Sequence, residues 1–162
     1  MTAADAAAVI ALNQAVVEVT SAMGKARFAE LTGLSSLKLV AETNGEVVAF
    51  VLAMSEGQAY DNGNYQWFSA RLKNFLYIDR VVVSAACQGF GIGRLLYSHL
   101  NTWARQVGIL SLCGEIDIEP PNPASLRFHE KAGFVPIGKR SLASGKQVSM
   151  QLCVVTEPSS KS

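Results

Sequence analysis

Three glycines alternate with apolar residues in Gln88-Gly89-Phe90-Gly91-Ile92-Gly93-Arg94, between a β-branched run and an amphipathic helical pattern. A strand that passes through a glycine-rich turn into a helix brings free backbone N–H groups and the positive end of a helix dipole to one point, where phosphate can be held. Spacing limits the choice of phosphate ligand. A dinucleotide fingerprint G-x-G-x-x-G that began at Gly89 would need glycine at position 94, which is Arg94. A phosphate loop ending in G-K-[ST] fails as well, because Gly93 is followed by Arg94-Leu95. What remains is Q-x-x-G-x-G, read either as a cradle for a phosphorylated cofactor or as a tight strand-to-helix turn without a ligand.

Other reactive residue types narrow the field by exclusion. Cys87, Cys113 and Cys153 are three widely spaced thiols without a C-x-x-C pair, which speaks against a disulfide framework and a zinc site. Cys87 adjoins the glycine loop, where a helix N-terminus can lower a thiol pKa, but small semi-buried filler is its more ordinary role. The two histidines, His99 and His129, are far apart and lack an H-E-x-x-H partner, so no metal site is expected. With a net charge of +1 and scattered basic residues, the chain carries no electrostatic footprint for nucleic acid or an anionic membrane. Its N-terminus lacks the basic region of a signal peptide, and the apolar stretch Ala6 to Leu12 is too short to span a bilayer. These features suggest a soluble, cytoplasmic protein. At 162 residues, 49% of them hydrophobic and 17% charged, the length suits one domain with a substantial core.

The elements that must position the loop follow from periodicity. Val9, Leu12, Val16 and Val19 predict one helix from Asp5, as N-cap, to about Ala22, and a second helical piece runs from Ala26 to Leu34. Leu37 to Glu42 and Glu46 to Ala53 flank Asn44-Gly45 and read as a β-hairpin. Ser55 to Asn74 is polar and carries Tyr60, Tyr65, Trp67 and Phe68, with a short helix expected between Asn64 and Lys73. Phe75 to Val83 is a strand of high β-propensity, buried apart from Asp79 and Arg80. Past the loop, Ile92, Leu95, Leu96, His99, Leu100, Trp103 and Val107 share one helical face that Gly108 ends. A strand over Ile109 to Ile116, a turn at Pro120-Pro121-Asn122-Pro123, a helix from Ala124 to Ala132 and closing strands over Phe134 to Arg140 and Gln147 to Val155 complete the chain. A strand–helix–strand crossover among antiparallel hairpins predicts an α+β domain over residues 5–155 with helices on both faces of one mixed sheet. The polar tail 156–162 is expected to be disordered.

A second motif follows the loop in Asn122-Pro123-Ala124-Ser125-Leu126-Arg127-Phe128-His129-Glu130-Lys131-Ala132-Gly133-Phe134. In this order the two segments resemble the pyrophosphate loop and the N-x-x-(small)-x-x-(apolar)-Y-E-K-x-G-F signature of the GNAT superfamily of N-acetyltransferases. The run Tyr77 to Val83 with Pro120 to Ser125 looks like an uncharacterised branch of that superfamily. The resemblance implies a GNAT-like fold, a mostly antiparallel sheet with a central parallel splay that holds acetyl-coenzyme A as co-substrate. It implies acetyl transfer to the primary amine of an unknown acceptor by direct attack in a ternary complex, and a homodimer is common among relatives. An acyl-coenzyme A-binding sensor without transferase activity is the alternative.

Carried over residue by residue, the resemblance assigns Gln88, Gly89, Phe90, Gly91, Ile92, Gly93 and Arg94 to the pyrophosphate. It assigns the main chain of Val81, Val82 and Val83 to the pantetheine amides, with one N–H there polarising the thioester carbonyl. Asn122 would bond the pantetheine arm or cap its helix, and Ser125 and Phe128 would line the channel. The family's tyrosine, which protonates the leaving thiolate, is replaced by His129, either a substitute donor or a packed histidine. The base would be Glu115, or else Asp79, which can instead pair with Arg80. Tyr60 to Phe68 would form an acceptor wall or pack in the core. Two further departures are a turn between Glu115 and Asn122 about two residues longer than usual, which leaves the alignment of Glu115 open, and a helix where relatives begin with a strand. The latter reads as a missing first strand or a late-assigned start.

Overall fold

The computed structural model describes residues 1–157, so most of the 156–162 tail lies outside the described residues. Six strands form one sheet in the spatial order β1-β2-β3-β4-β6-β5, where β1 is Leu37–Thr43, β2 Glu46–Ser55, β3 Phe75–Val83, β4 Ser111–Glu119, β5 Val135–Ser141 and β6 Gln147–Val154. All neighbours pair antiparallel except β3 and β4, which are parallel. The α+β architecture expected from the sequence is therefore present, with helices α1 (Ala6–Gln14), α2 (Lys25–Leu34), α3 (Gly63–Ser69), α4 (Ile92–Gln106) and α5 (Pro123–Lys131).

The β1–β2 hairpin turns at Asn44 and Gly45 with φ of 53° and 78°, the left-handed pair a two-residue turn needs. β2 is buried without a break from Val48 to Met54, because both faces of the sheet are covered. One core joins Val9, Phe28 and Leu31 to Phe50, Phe68 and Tyr77 under α1, α2 and α3. The other joins Leu96, Leu100 and Ala104 of α4 to Val51, Leu76 and Leu112. Burying a leucine such as Leu100 contributes about 2 kcal/mol, which holds α4, and the loop before it, against the sheet.

β3 and β4 pair only through Phe75–Ser111, Leu76–Leu112 and Tyr77–Cys113. Beyond Tyr77 they diverge: β3 stays with β2 as far as Val83, and β4 stays with β6 as far as Glu119. Two inner edges are thus left facing each other without a ladder. Gly114 stands at the fork, where a Cβ would come within 3.3 Å of the Ile78 carbonyl oxygen. The splay is this parting of the strands.

The first helix is shorter than its apolar spacing predicts, ending at Gln14 and not near Ala22. The reason is polar. Asn13 is fully buried, its amide donates to the Ser21 carbonyl at 2.9 Å, and its Oδ1 accepts from the Thr20 hydroxyl at 3.2 Å, so the chain turns back over residues 15–21. Asp5 caps the preceding 3-10 turn by accepting from the Thr2 N–H at 2.6 Å and makes no side-chain cap on α1. Helix α3 is also shorter than expected. Asn62 starts it by accepting from the N–H groups of Asn64 and Tyr65 at 3.0 Å each. The long turn after β4 folds back on the strand end, with the Asn122 N–H donating to the Asp117 carbonyl at 3.1 Å. Among the described residues, the first strand in chain order is β1, and no helix is long and apolar enough to cross a membrane.

Candidate active site

Two clefts open where the strands part. The first, of about 560 Å³, is lined by Asp79 of β3, by Glu115 and Asp117 of β4, and by Asn122, Ser125 and His129 of the second motif. The second, of about 660 Å³, is lined by Val83, Gln88, the loop glycines, Arg94 and Phe128. Tyr97 of α4 and Phe134 line both.

In the glycine loop, Gly89 and Gly91 both have φ of 83°, a conformation that costs residues with a Cβ about 1 kcal/mol or more. Gly91 is the N-cap of α4. The N–H groups from Gly89 to Arg94 find no acceptor among the described residues, and those of Ile92, Gly93 and Arg94 belong to the first turn of a fifteen-residue helix. Such a row of donors suits an anion. Gly93 also lets α5 approach, since a Cβ there would come within 3.3 Å of the Phe128 ring. The Gln88 side-chain amide donates to the Val83 carbonyl at 3.3 Å, tying the loop to the end of β3. Phe90 and Arg94 are exposed.

On the acidic side, alternation along the strands puts Tyr77 and Glu115 on the α3 face. The Tyr77 hydroxyl lies 2.9 and 2.8 Å from the two Glu115 oxygens and donates to the carboxylate. Burial pushes the Glu115 pKa up from 4.5 to about 7; the Tyr77 hydrogen bond opposes the shift, the Asp79 charge adds to it, and the Asn64 amide opposes it. A carboxyl there can exchange a proton near neutrality. Asp79 is held differently: its Oδ1 accepts from the Tyr60 hydroxyl at 2.6 Å and its Oδ2 from Arg80 Nε at 2.7 Å. The Arg80 guanidinium is buried and also donates to Asn13 Oδ1 and the Ser21 carbonyl, each at 3.1 Å, and to Ser21 Oγ at 2.9 Å. The turn that shortens α1 therefore exists to satisfy this cation. Lys146 donates to Asp117 at 3.2 Å, partly neutralising the cleft mouth.

In α5, Asn122 acts as N-cap, its Oδ1 accepting from the Ser125 N–H at 3.2 Å. His129 Nδ1 lies 2.7 Å from the Ser125 carbonyl and 3.3 Å from Ser125 Oγ. A carbonyl only accepts, so Nδ1 carries the hydrogen. Burial lowers the His129 pKa, the neutral ring therefore dominates near pH 7, and its Nε2 accepts from the Tyr97 hydroxyl at 2.6 Å. The ring is enclosed by Tyr97, Phe128 and Phe134 at centroid distances of 5.2, 5.3 and 5.1 Å.

The fold thus gathers Glu115, His129, Asn122, Ser125 and Asp79 around one cleft and the loop residues with Phe128 around the other, with Val81 lining the first and Val83 the second. Val82 is buried in the core under α1, α2 and α3. Of the aromatic segment, Tyr60, Tyr65 and Phe68 are in the core, and Asn62 and Asn64 reach the first cleft instead. Tyr77, Tyr97, Asn62 and Asn64 are polar residues at the site that no sequence motif marks. Tyr77 and Tyr97 each occupy an apolar position of a regular element, and their hydroxyls become visible only through their partners.

A family model described as the acetyltransferase (GNAT) family matches residues 11–134. Among solved structures, Ard1 from Thermoplasma volcanium aligns with a TM-score of 0.79 at 18% identity, covering 97% of this chain and 95% of that one. The ribosomal-protein-S18-alanine N-acetyltransferase from Escherichia coli aligns at 0.72 and 18%, covering 100% and 95%. A Bacillus anthracis structure in complex with acetyl coenzyme A aligns at 0.59 and 19%, covering 75% of this chain and 64% of that one. At these identities the structural likeness establishes the fold, and the family match, which spans most of the chain, establishes the relationship: the chain belongs to the GNAT acetyltransferase family.

Proposed function

We propose that the protein transfers an acetyl group from acetyl-coenzyme A to a primary amine by direct attack in a ternary complex. The observation that carries this reading is the meeting of two unlike clefts at Tyr97, one rimmed by unpaired N–H groups, the other holding a carboxyl that titrates near neutrality. The Bacillus anthracis neighbour, solved with acetyl coenzyme A, supports the choice of donor.

On this reading the N–H groups from Gly89 to Arg94 bind the pyrophosphate, and the Arg94 charge adds to them. The inner edge of β3 from Val81 to Val83, left without a strand partner, pairs with the pantetheine amides, and one N–H there polarises the thioester carbonyl. Asn122 caps α5 and borders the arm, while Ser125 and Phe128 shape the channel. Acetyl-coenzyme A supplies an activated acyl carbon. Glu115 takes a proton from the attacking nitrogen, a task suited to a base with a pKa near the working pH. Asp79, with both oxygens already bonded, keeps the Glu115 pKa raised through its charge and leaves the proton transfer to Glu115.

A panel of amines assayed for free thiol release from acetyl-coenzyme A tests the proposal. At least one amine should give turnover in the wild type, reduced about a hundredfold or more in Glu115→Gln. Acetyl-coenzyme A binding without thiol release from any amine would favour the sensor reading.

A further inference from the structure

We infer that the Tyr97 hydroxyl, and not the imidazole of His129, delivers the proton to the leaving thiolate, with His129 as its positioning residue. The inference rests on the acetyltransferase reading above. Acyl transfer has to take place where the donor and acceptor clefts join. Among the described residues only Tyr97 and Phe134 line both, and of these only Tyr97 carries an O–H group. His129 lines the first cleft alone. Its Nδ1–H is committed to the Ser125 carbonyl, and its Nε2 carries a lone pair that already accepts from Tyr97. A neutral ring in that tautomer has no hydrogen to offer on the side facing Tyr97.

The same contacts explain what His129 does. Clamped by Ser125 and packed against Phe128 and Phe134, it holds the phenol in place at 2.6 Å, while Phe128 stacks edge-on against the Tyr97 ring at 5.0 Å. In the chemical step the acceptor nitrogen forms a bond to the acyl carbon, and the C–S bond breaks with its electron pair going to sulfur. The Tyr97 hydroxyl turns from Nε2 to the sulfur, its O–H bond breaks, and the proton goes to the thiolate. The phenolate is then reprotonated from solvent, into which Glu115 releases the proton it took from nitrogen, so no net proton is gained or lost by the protein.

The test uses coenzyme A itself and needs no acceptor. The thiol of bound coenzyme A is titrated by the ultraviolet absorbance of its thiolate, alongside calorimetry of the same proteins. If the Tyr97 hydroxyl donates to the sulfur, Tyr97→Phe should raise the bound thiol pKa by about one unit or more, since a hydrogen bond to a charged acceptor is being removed. Affinity should change by less than about threefold, because the phenyl ring is kept. Trifluorotyrosine at position 97, which preserves shape and acidifies the phenol, should lower the thiol pKa below the wild-type value. His129→Gln, which retains an acceptor for the hydroxyl, should stay closer to wild type than His129→Leu. An unchanged thiol pKa in Tyr97→Phe and in the fluorinated protein, with coenzyme A still bound, would overturn the assignment alone. Failure of the wild type to bind coenzyme A would overturn the acetyltransferase reading and this inference with it.

Discussion

Replacing Glu115 by Gln should stabilise the protein above pH 7 while disabling it. The Glu115 carboxyl is pushed up from 4.5 to about 7, chiefly by burial. The folded state therefore takes up a proton that the unfolded chain releases, throughout the interval between those two values. Stability is present below pH 4.5, is lost as pH rises through the interval, and stays missing above about 7. The full difference corresponds to about 3 kcal/mol, and solvent reaching the half-buried carboxyl reduces it to about 1 to 3 kcal/mol. Glutamine keeps an oxygen that accepts from the Tyr77 hydroxyl and carries no charge at any pH, so it escapes the loss. Urea unfolding followed by circular dichroism at pH 5, 6, 7 and 8 measures both proteins. The stability of Glu115→Gln relative to wild type should rise by about 1 to 3 kcal/mol from pH 5 to pH 8, with most of the change complete by about pH 7.5. Other titrating groups, His129 included, are common to both proteins and cancel in the difference. A difference that is flat across this range would mean that Glu115 titrates as it does in the unfolded chain and that burial does not raise its pKa.

Tyr77→Phe removes the hydroxyl that lowers the Glu115 pKa, so the ascending limb of the pH–rate profile should move about one unit to higher pH, measurable once an acceptor amine is found. Arg80→Leu leaves Asp79 charged and without its cation, and strands Asn13 and Ser21 as well. Stability should fall by about 3 to 5 kcal/mol in chemical denaturation. Burial lowers the His129 pKa, so folding expels a proton below the unfolded value of 6.5, and stability is lost as pH falls through it. His129→Gln should abolish that acid-side loss, read from urea midpoints at pH 5.5 and 7.5.

Much of the fold was legible because its signals are local. Asn44-Gly45 fixed a hairpin, and apolar spacing marked the helix behind the loop, although its buried stripe is Leu96, Tyr97, Leu100 and Ala104 while Leu95, His99 and Val107 of the expected face are exposed. Gly89 and Gly91 marked positions with positive φ. What depended on distant partners was less legible. The end of α1 is set by Asn13, whose buried amide meets Ser21 and Arg80, and no periodicity in residues 5–22 encodes Arg80. Asp79 and Glu115 are both carboxylates on adjacent strands, and their spacing does not say which one would serve as the base. The difference lies in their partners, an arginine and a phenol for Asp79 and a phenol and the Asn64 amide, with no cation, for Glu115. Tyr97 was hidden by its own regularity: it sits on the buried stripe of α4, and the role proposed for its hydroxyl depends on the contact with His129, which α5 brings to it. The aromatic run from Tyr60 to Phe68 misled in the opposite direction, because its rings serve the core while Asn62 and Asn64 between them reach the cleft.

On the proposed reading the glycine loop binds acetyl-coenzyme A through its backbone N–H groups. Titrating the isotopically labelled protein with acetyl-coenzyme A and following backbone amide resonances tests it directly. Saturable shifts should be largest at the N–H groups from Gly89 to Arg94 and along Val81 to Val83, which have no strand partner on the inner edge of β3. Saturation without movement of the Gly89 to Arg94 amides, or no saturable shift at all, would mean that the loop does not hold acetyl-coenzyme A.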